Sequence, residues 1–187
     1  LHNVWIGVSV EDQERADERV PRLLAAPAHV RFLSAEPLWK PVKLELAAKS
    51  AELRPIVGGQ GIHWLIAGGE SGSRGRPMHP DWAISLRDEC AELGISFFYK
   101  QAGRWSSIQP KEARQSIGLM SDGGEVPAGT PGSVTLWSVG KKAAGKLLDG
   151  KVYQQWPAGY VAPTINPRTK RSVRGRGVSG GTQNAQP

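Results

Sequence analysis

Four short apolar runs in this chain each end in residues that can hold a polar ligand. The run 4–10 leads into Ser9-Val10-Glu11, and 30–34 leads into Ser34-Ala35-Glu36-Pro37. The run 62–67 leads into Gly68-Gly69-Glu70-Ser71-Gly72, and 95–99 leads into Lys100-Gln101. Ser-x-Glu thus occurs twice in the same place, a third end carries Gly-Gly-Glu-Ser, and the fourth carries a cation. Ionised carboxylates accept hydrogen bonds from hydroxyl and ammonium groups, and lysine and arginine bind carboxylates and phosphates. The segment GGESGSRGRPMHP (68–80) is the densest of the four. Its glycines leave backbone N–H groups open to an anion, and Arg74 and Arg76 add guanidinium forks. Arg74, Arg76, Lys100 and Gln101 are the candidates for a substrate or anion.

Each of these residues has a plainer reading. Glu11 stands where a first-turn carboxylate complements a helix dipole, as an alternative to a ligand role. Glu36 is followed by Pro37 and the next helix begins later, so capping suits it less. Glycines around Glu70 indicate close approach of the backbone to something. The 68–80 segment on spacing alone is a surface loop: it is neither a Walker A loop nor a dinucleotide fingerprint. His2, His29, His63 and His79 show no i, i+4 pair, so a metal site within this chain is not expected. Cys90 falls on an apolar helix stripe and reads as a packed core thiol. No Gly-x-Ser-x-Gly elbow supports a hydrolase triad.

The elements that must position these residues follow from periodicity. The four runs are strand-length and apolar without alternation, as in parallel strands covered on both faces. Between them, 12–26 has a helical stripe of Ala16, Val20, Leu23 and Leu24 behind Asp12, interrupted by Pro21, which predicts a kink or two short helices. Residues 80–93 place Trp82, Leu86, Cys90 and Leu93 on one face, with Gly94 at the C′ position. Residues 42–53 form a weaker helix candidate. This βα alternation predicts a parallel sheet, either open or part of a barrel. In such folds ligands bind beyond the carboxyl ends of the strands, where the polar residues sit. Residues 104–140 read as loop with a hairpin, and 140–149 as a short helix.

With 187 residues and 39% apolar content, one domain plus a tail is expected. No run approaches ~18 consecutive apolar residues, so no membrane span is expected. A single cysteine and no signal-peptide core suit a reducing compartment, and a cytoplasmic location is expected. The net charge of +7 is concentrated in the tail: Lys151, Arg168, Lys170, Arg171, Arg174 and Arg176 occur without an acidic residue after position 150, which leaves +1 on the first 150 residues. Residues 158–187 read as a disordered basic tail. The cluster from Arg168 to Arg176 offers weak nucleic-acid contact by counterion release, without the interleaved aromatics that stacking requires. Leu1 stands in place of Met, and the chain is read as a fragment of a longer protein.

Taken together, NVWIGVSVEDQERADERVPRLL, RFLSAEPL, HWLIAGGESGSRGRPMHPDWAISLRDEC, SFFYKQAG and GKKAAGKLLDG resemble the phage gene-product thirty-seven/sixty-eight family, over residues 1–157. That family is of unknown function, occurs in phages and prophages, and resembles a divergent branch of the radical S-adenosylmethionine enzymes. The resemblance implies a partial βα-barrel of TIM-like type over 1–157, irregular from about residue 104. It implies S-adenosylmethionine and a four-iron–four-sulfur cluster for the full-length protein, which together yield a 5′-deoxyadenosyl radical. The three-cysteine segment ending in Cys-x-x-Cys-Tyr, which would hold the cluster, is absent, and one cysteine cannot replace it. Under the resemblance Ser9, Glu11, Ser34, Glu36, Gly68, Gly69, Glu70 and Ser71 contact the cofactor, and the substrate is a small molecule or a nucleic acid. The chain alone would be inactive. The alternative is a non-catalytic accessory module that binds nucleic acid or a protein partner.

Overall fold

The computed structural model describes residues 4–56, 60–111 and 115–160. Strands β1 (Trp5–Ser9), β2 (Val30–Ala35), β3 (Trp64–Gly68) and β4 (Ser96–Gln101) form one sheet in the order β1-β2-β3-β4, with every pair parallel. Helix α1 (Gln13–Ala25) joins the first pair, α2 (Leu44–Ala47) and α3 (Ser50–Leu53) lie in the second connection, and α4 (Pro80–Leu93) joins the third. Parallel neighbours need crossovers, and crossovers of one hand in consecutive order place their helices on one face. Leu33, Ala35, Leu65, Ala67, Phe97 and Tyr99 are buried in one core with Val20 and Leu23 of α1 and Leu86 and Cys90 of α4. The sheet is open: no barrel closes among the described residues.

Local chemistry explains the helix ends. Asp12 caps α1, its carboxylate accepting the Arg15 N–H at 3.0 Å. Pro21 lies inside α1, which runs as one helix, so of the expected kink or two short helices the second is not found. Residues 17 and 21 are both exposed, so the carbonyl that loses its partner to proline meets water. Helix α4 has the expected bounds, with Pro80 in its first turn and Gly94 at φ 76° behind it. The 42–53 candidate splits into the two single turns α2 and α3.

Residues 104–140 hold more structure than the expected hairpin. Strands β5 (Trp105–Ser106), β6 (Ser116–Leu119), β7 (Glu125–Val126) and β8 (Val134–Ser138) form an antiparallel sheet in the order β5-β8-β6-β7. A one-turn helix, α5 (Lys141–Ala144), follows. The chain then returns along β4: Phe98 bridges Gln154, and the Tyr99 N–H donates to the Tyr153 carbonyl at 2.8 Å. This strap covers the outer edge of β4. The described residues end at Tyr160, whose ring stacks on Trp156 at 4.6 Å. The basic residues Arg168, Lys170, Arg171, Arg174 and Arg176 lie outside the described residues.

Buried His63 ties β2 to β3. Its Nδ1 accepts the Arg31 N–H at 3.1 Å, and its Nε2 lies 3.0 Å from the Ile56 carbonyl. Only the neutral ring protonated on Nε2 satisfies both partners. Burial lowers its pKa below the ordinary 6.5, and the same cause lowers that of His79. The unfolded chain therefore binds more protons than the folded one just below pH 6.5, so stability falls as pH drops through that window. His63→Leu leaves the Arg31 N–H and the Ile56 carbonyl without the imidazole and is expected to cost about 1–3 kcal/mol, with a flatter stability profile between pH 7 and pH 5. Urea denaturation across that range measures both effects; an unchanged profile contradicts the assignment of His63.

Candidate functional site

One face of the parallel sheet carries no helix, and strand alternation places Gly7, Ser9, Phe32, Ser34, Trp64, Ile66, Phe98 and Lys100 on it. The face is divided along the strands. Its amino-terminal half is aromatic: Trp64 packs against Trp5 at 6.3 Å, Phe32 at 6.1 Å and Phe98 at 5.8 Å. Trp156 of the strap closes on Trp64 at 4.7 Å. Its carboxyl-terminal half is polar. Ser9 and Ser34 are paired in register, and Glu36 follows on the same face.

Glu36 is the centre of that polar half. The Lys100 ammonium lies 3.0 Å from its Oε2 and 3.2 Å from its Oε1, and the Ser34 hydroxyl donates to Oε1 at 3.4 Å. A register shift between β3 and β4 pairs Ala67 with Tyr99 but Gly68 with Gln101, so Lys100 is the extra residue of a bulge. Bulges re-aim side chains, and this one supplies the cation for Glu36. Gly68 lets β3 pack closely beside them: a Cβ there would lie 3.3 Å from the Gln101 carbonyl oxygen and 3.6 Å from both Glu36 Oε2 and Lys100 Cβ. Ser34, Glu36, Gly68 and Lys100 are thus brought together from three strands. With its side chain 21% exposed, Glu36 remains open to a ligand.

The other sequence candidates are placed apart from this cluster or are engaged elsewhere. Glu11 pairs with Arg19 of α1 at 3.1 Å, and the same guanidinium donates to the Ser9 carbonyl. Glu70 accepts from the backbone N–H of Arg76 at 3.2 Å and from its Nε at 2.9 Å. The Arg76 guanidinium holds the Glu70 carboxyl below the usual carboxylate range and lies over the Trp39 ring at 3.7 Å. Ser71 and Arg74 are exposed. Gln101 is buried, its Nε2 3.5 Å from the Gly69 carbonyl.

The Gly-Gly pair has a structural reason that the sequence could not distinguish from a ligand cradle. A Cβ on Gly69 would lie 2.3 Å from the Ala102 carbonyl oxygen, and one on Gly103, at φ +87°, would lie 2.6 Å from the Gly69 carbonyl carbon. The loops after β3 and β4 therefore cross in direct backbone contact, and what Gly69 approaches is the chain itself. Gly69→Ala forces backbone to move and is expected to destabilise by about 1–3 kcal/mol. Thermal denaturation checks this; an unchanged midpoint would show that the loops do not cross so closely.

No group of His, Cys, Asp and Glu able to hold a metal ion is present among the described residues. Cys90 is fully buried under α4, and burial pushes its thiol far above the ordinary range. No helix among the described residues is long and apolar enough to cross a membrane.

Residues 1–157 match the family model described as protein of unknown function (DUF5131). The chain belongs to this family. No curated protein matches the chain, and neither does any solved structure. The DUF5131 match spans both sheets and the strap as far as Pro157, so the Ser34–Glu36–Lys100 cluster and the aromatic layer beside it lie wholly inside the family region.

Proposed function

We propose that this chain is the C-terminal part of a phage or prophage protein of the radical S-adenosylmethionine type, and that its polar sheet face supplies cofactor- and substrate-side contacts. One observation carries this reading. Ser34, Glu36 and Lys100 converge, at the carboxyl ends of two parallel strands, on the face that the helices leave free. That is where parallel α/β sheets hold ligands. The order β1-β2-β3-β4 is that of consecutive barrel strands, and β1 is half-exposed along its length at the sheet edge. In this reading further strands add at β1, since the strap occupies the edge of β4.

The residues fit S-adenosylmethionine in kind. A carboxylate, a hydroxyl and an ammonium match the ribose hydroxyls, the amino group and the carboxylate of that molecule. When bound, S-adenosylmethionine supplies radical-based hydrogen abstraction. The chain's own residues bind and orient: Glu36 accepts from hydroxyl or amino donors, Lys100 holds the carboxylate in place, and the Trp64 layer keeps water from the sheet below. An iron–sulfur cluster does not fit. The one cysteine is sealed in the core, so cluster ligands must come from outside this chain.

The coding sequence immediately upstream of Leu1 tests the reading. An in-frame segment ending in Cys-x-x-Cys-Tyr supports it. A stop codon or an unrelated domain removes radical chemistry from this chain and leaves an accessory binding module.

A further inference from the structure

A second pocket adjoins the polar face, of about 470 Å³, lined by Lys100, Gln101, Lys141, Lys142, Gly145 and Lys146. Lys100 is paired with Glu36, whereas Lys141, Lys142 and Lys146 are exposed and make no ion pair among the described residues. No carboxylate lines the pocket. Lysine stems are apolar and their ends cationic, so such walls offer an apolar surface under a positive rim. Like charges gathered this closely repel one another, and a bound anion relieves that repulsion.

Gln101 also borders the pocket. Gln101 is only 9% exposed, and its Oε1 is buried without a hydrogen-bond partner. Its Nε2 faces the Gly69 carbonyl, so turning the amide over would set two acceptors against each other. Buried acceptors without donors are rare and costly in folded proteins. The pocket therefore combines three exposed cations with the absence of a carboxylate, while Gln101 Oε1 is sealed from it.

We propose that this pocket binds the phosphoryl group of the ligand, with Lys141, Lys142 and Lys146 holding the phosphate. The inference deepens the reading of the polar face as a ligand site and rests on it through Lys100, which borders both. It assigns the substrate to phosphate-bearing compounds.

Pyrophosphate binding to the full chain, followed by calorimetry at low salt, tests this. The triple variant Lys141→Gln/Lys142→Gln/Lys146→Gln changes only exposed side chains and should fold normally. It should bind pyrophosphate at least about tenfold more weakly, because each lysine removed takes away a charge beside the anion. The variant Arg171→Gln/Arg174→Gln/Arg176→Gln should bind as the parent does. Absence of binding to the parent, a smaller loss in the lysine variant, or dependence on the arginines overturns the proposal. Competition separates the two sources of phosphate: displacement by a short single-stranded oligonucleotide assigns the pocket to a nucleic-acid backbone, and its failure assigns it to small phosphate esters. Glu36→Gln should leave pyrophosphate affinity equal or higher, since it frees Lys100. Pyrophosphate binding that is kept while S-adenosylmethionine binding proves independent of Glu36 would therefore sink the cofactor reading alone.

Discussion

Trp64→Ala is expected to destabilise the protein by about 3–5 kcal/mol, the range for truncating a large buried aromatic. Trp64 is 8% exposed and lies at the centre of the layer made by Trp5, Phe32, Phe98 and Trp156. Its indole N–H also donates to the Gln155 carbonyl at 2.9 Å, which fastens the strap to the sheet. Alanine removes the hub of the layer and this link together. The loss separates into parts. Trp64→Phe keeps much of the ring surface and gives up the hydrogen bond, so it should cost roughly 1–2 kcal/mol. Chemical denaturation followed by fluorescence of the remaining tryptophans measures both. If Trp64→Ala costs no more than Trp64→Phe, the aromatic layer does not hold the strap in place.

The parallel sheet was legible because its strands are unbroken apolar runs, each followed by polar residues; the burial on both faces that such runs suggest is met by helices on one face only. Helix α4 was legible because stripe, proline and terminal glycine agree on its bounds. The second sheet was not. Its strands are two to five residues long, and glycines and turns crowd their sequence, so their pairing comes from tertiary contact. The composition of 158–187, rich in small and polar residues, gives no sign that the Tyr160 ring stacks on Trp156.

At the site, sequence position identified Ser34, Glu36, Gly68 and Lys100 as strand-end residues. It could not show which of the carboxylates already have partners. Glu11 and Glu70 are held by arginines from their own helix and loop, which no spacing rule reveals. The lysines of the second pocket left only a weak trace, Lys141-Lys142 and Lys146 in a short helical stretch. They meet Lys100 and Gln101 only because the segment folds back beside β4, where the Ala102 N–H donates to the Gly145 carbonyl at 3.0 Å.

Glu36→Gln is the most informative change at the polar face. It keeps the size of the side chain and removes the charge. The Glu36–Lys100 pair is partly exposed, and pairs of that kind are worth about 0–1 kcal/mol, so the variant should fold. Hydrogen bonds to a charged group are worth about 1.5–3 kcal/mol, so a ligand held by the carboxylate should bind about ten- to a hundredfold more weakly. Glu70→Gln, whose carboxylate is already engaged by Arg76, should cost less. The deciding measurement is the affinity for S-adenosylmethionine, by calorimetry, of the polypeptide encoded in frame with this chain, including any segment that precedes Leu1. The account predicts binding by the parent and at least about tenfold weaker binding by Glu36→Gln. Equal affinity in the two proteins, or no binding by the parent, would contradict it.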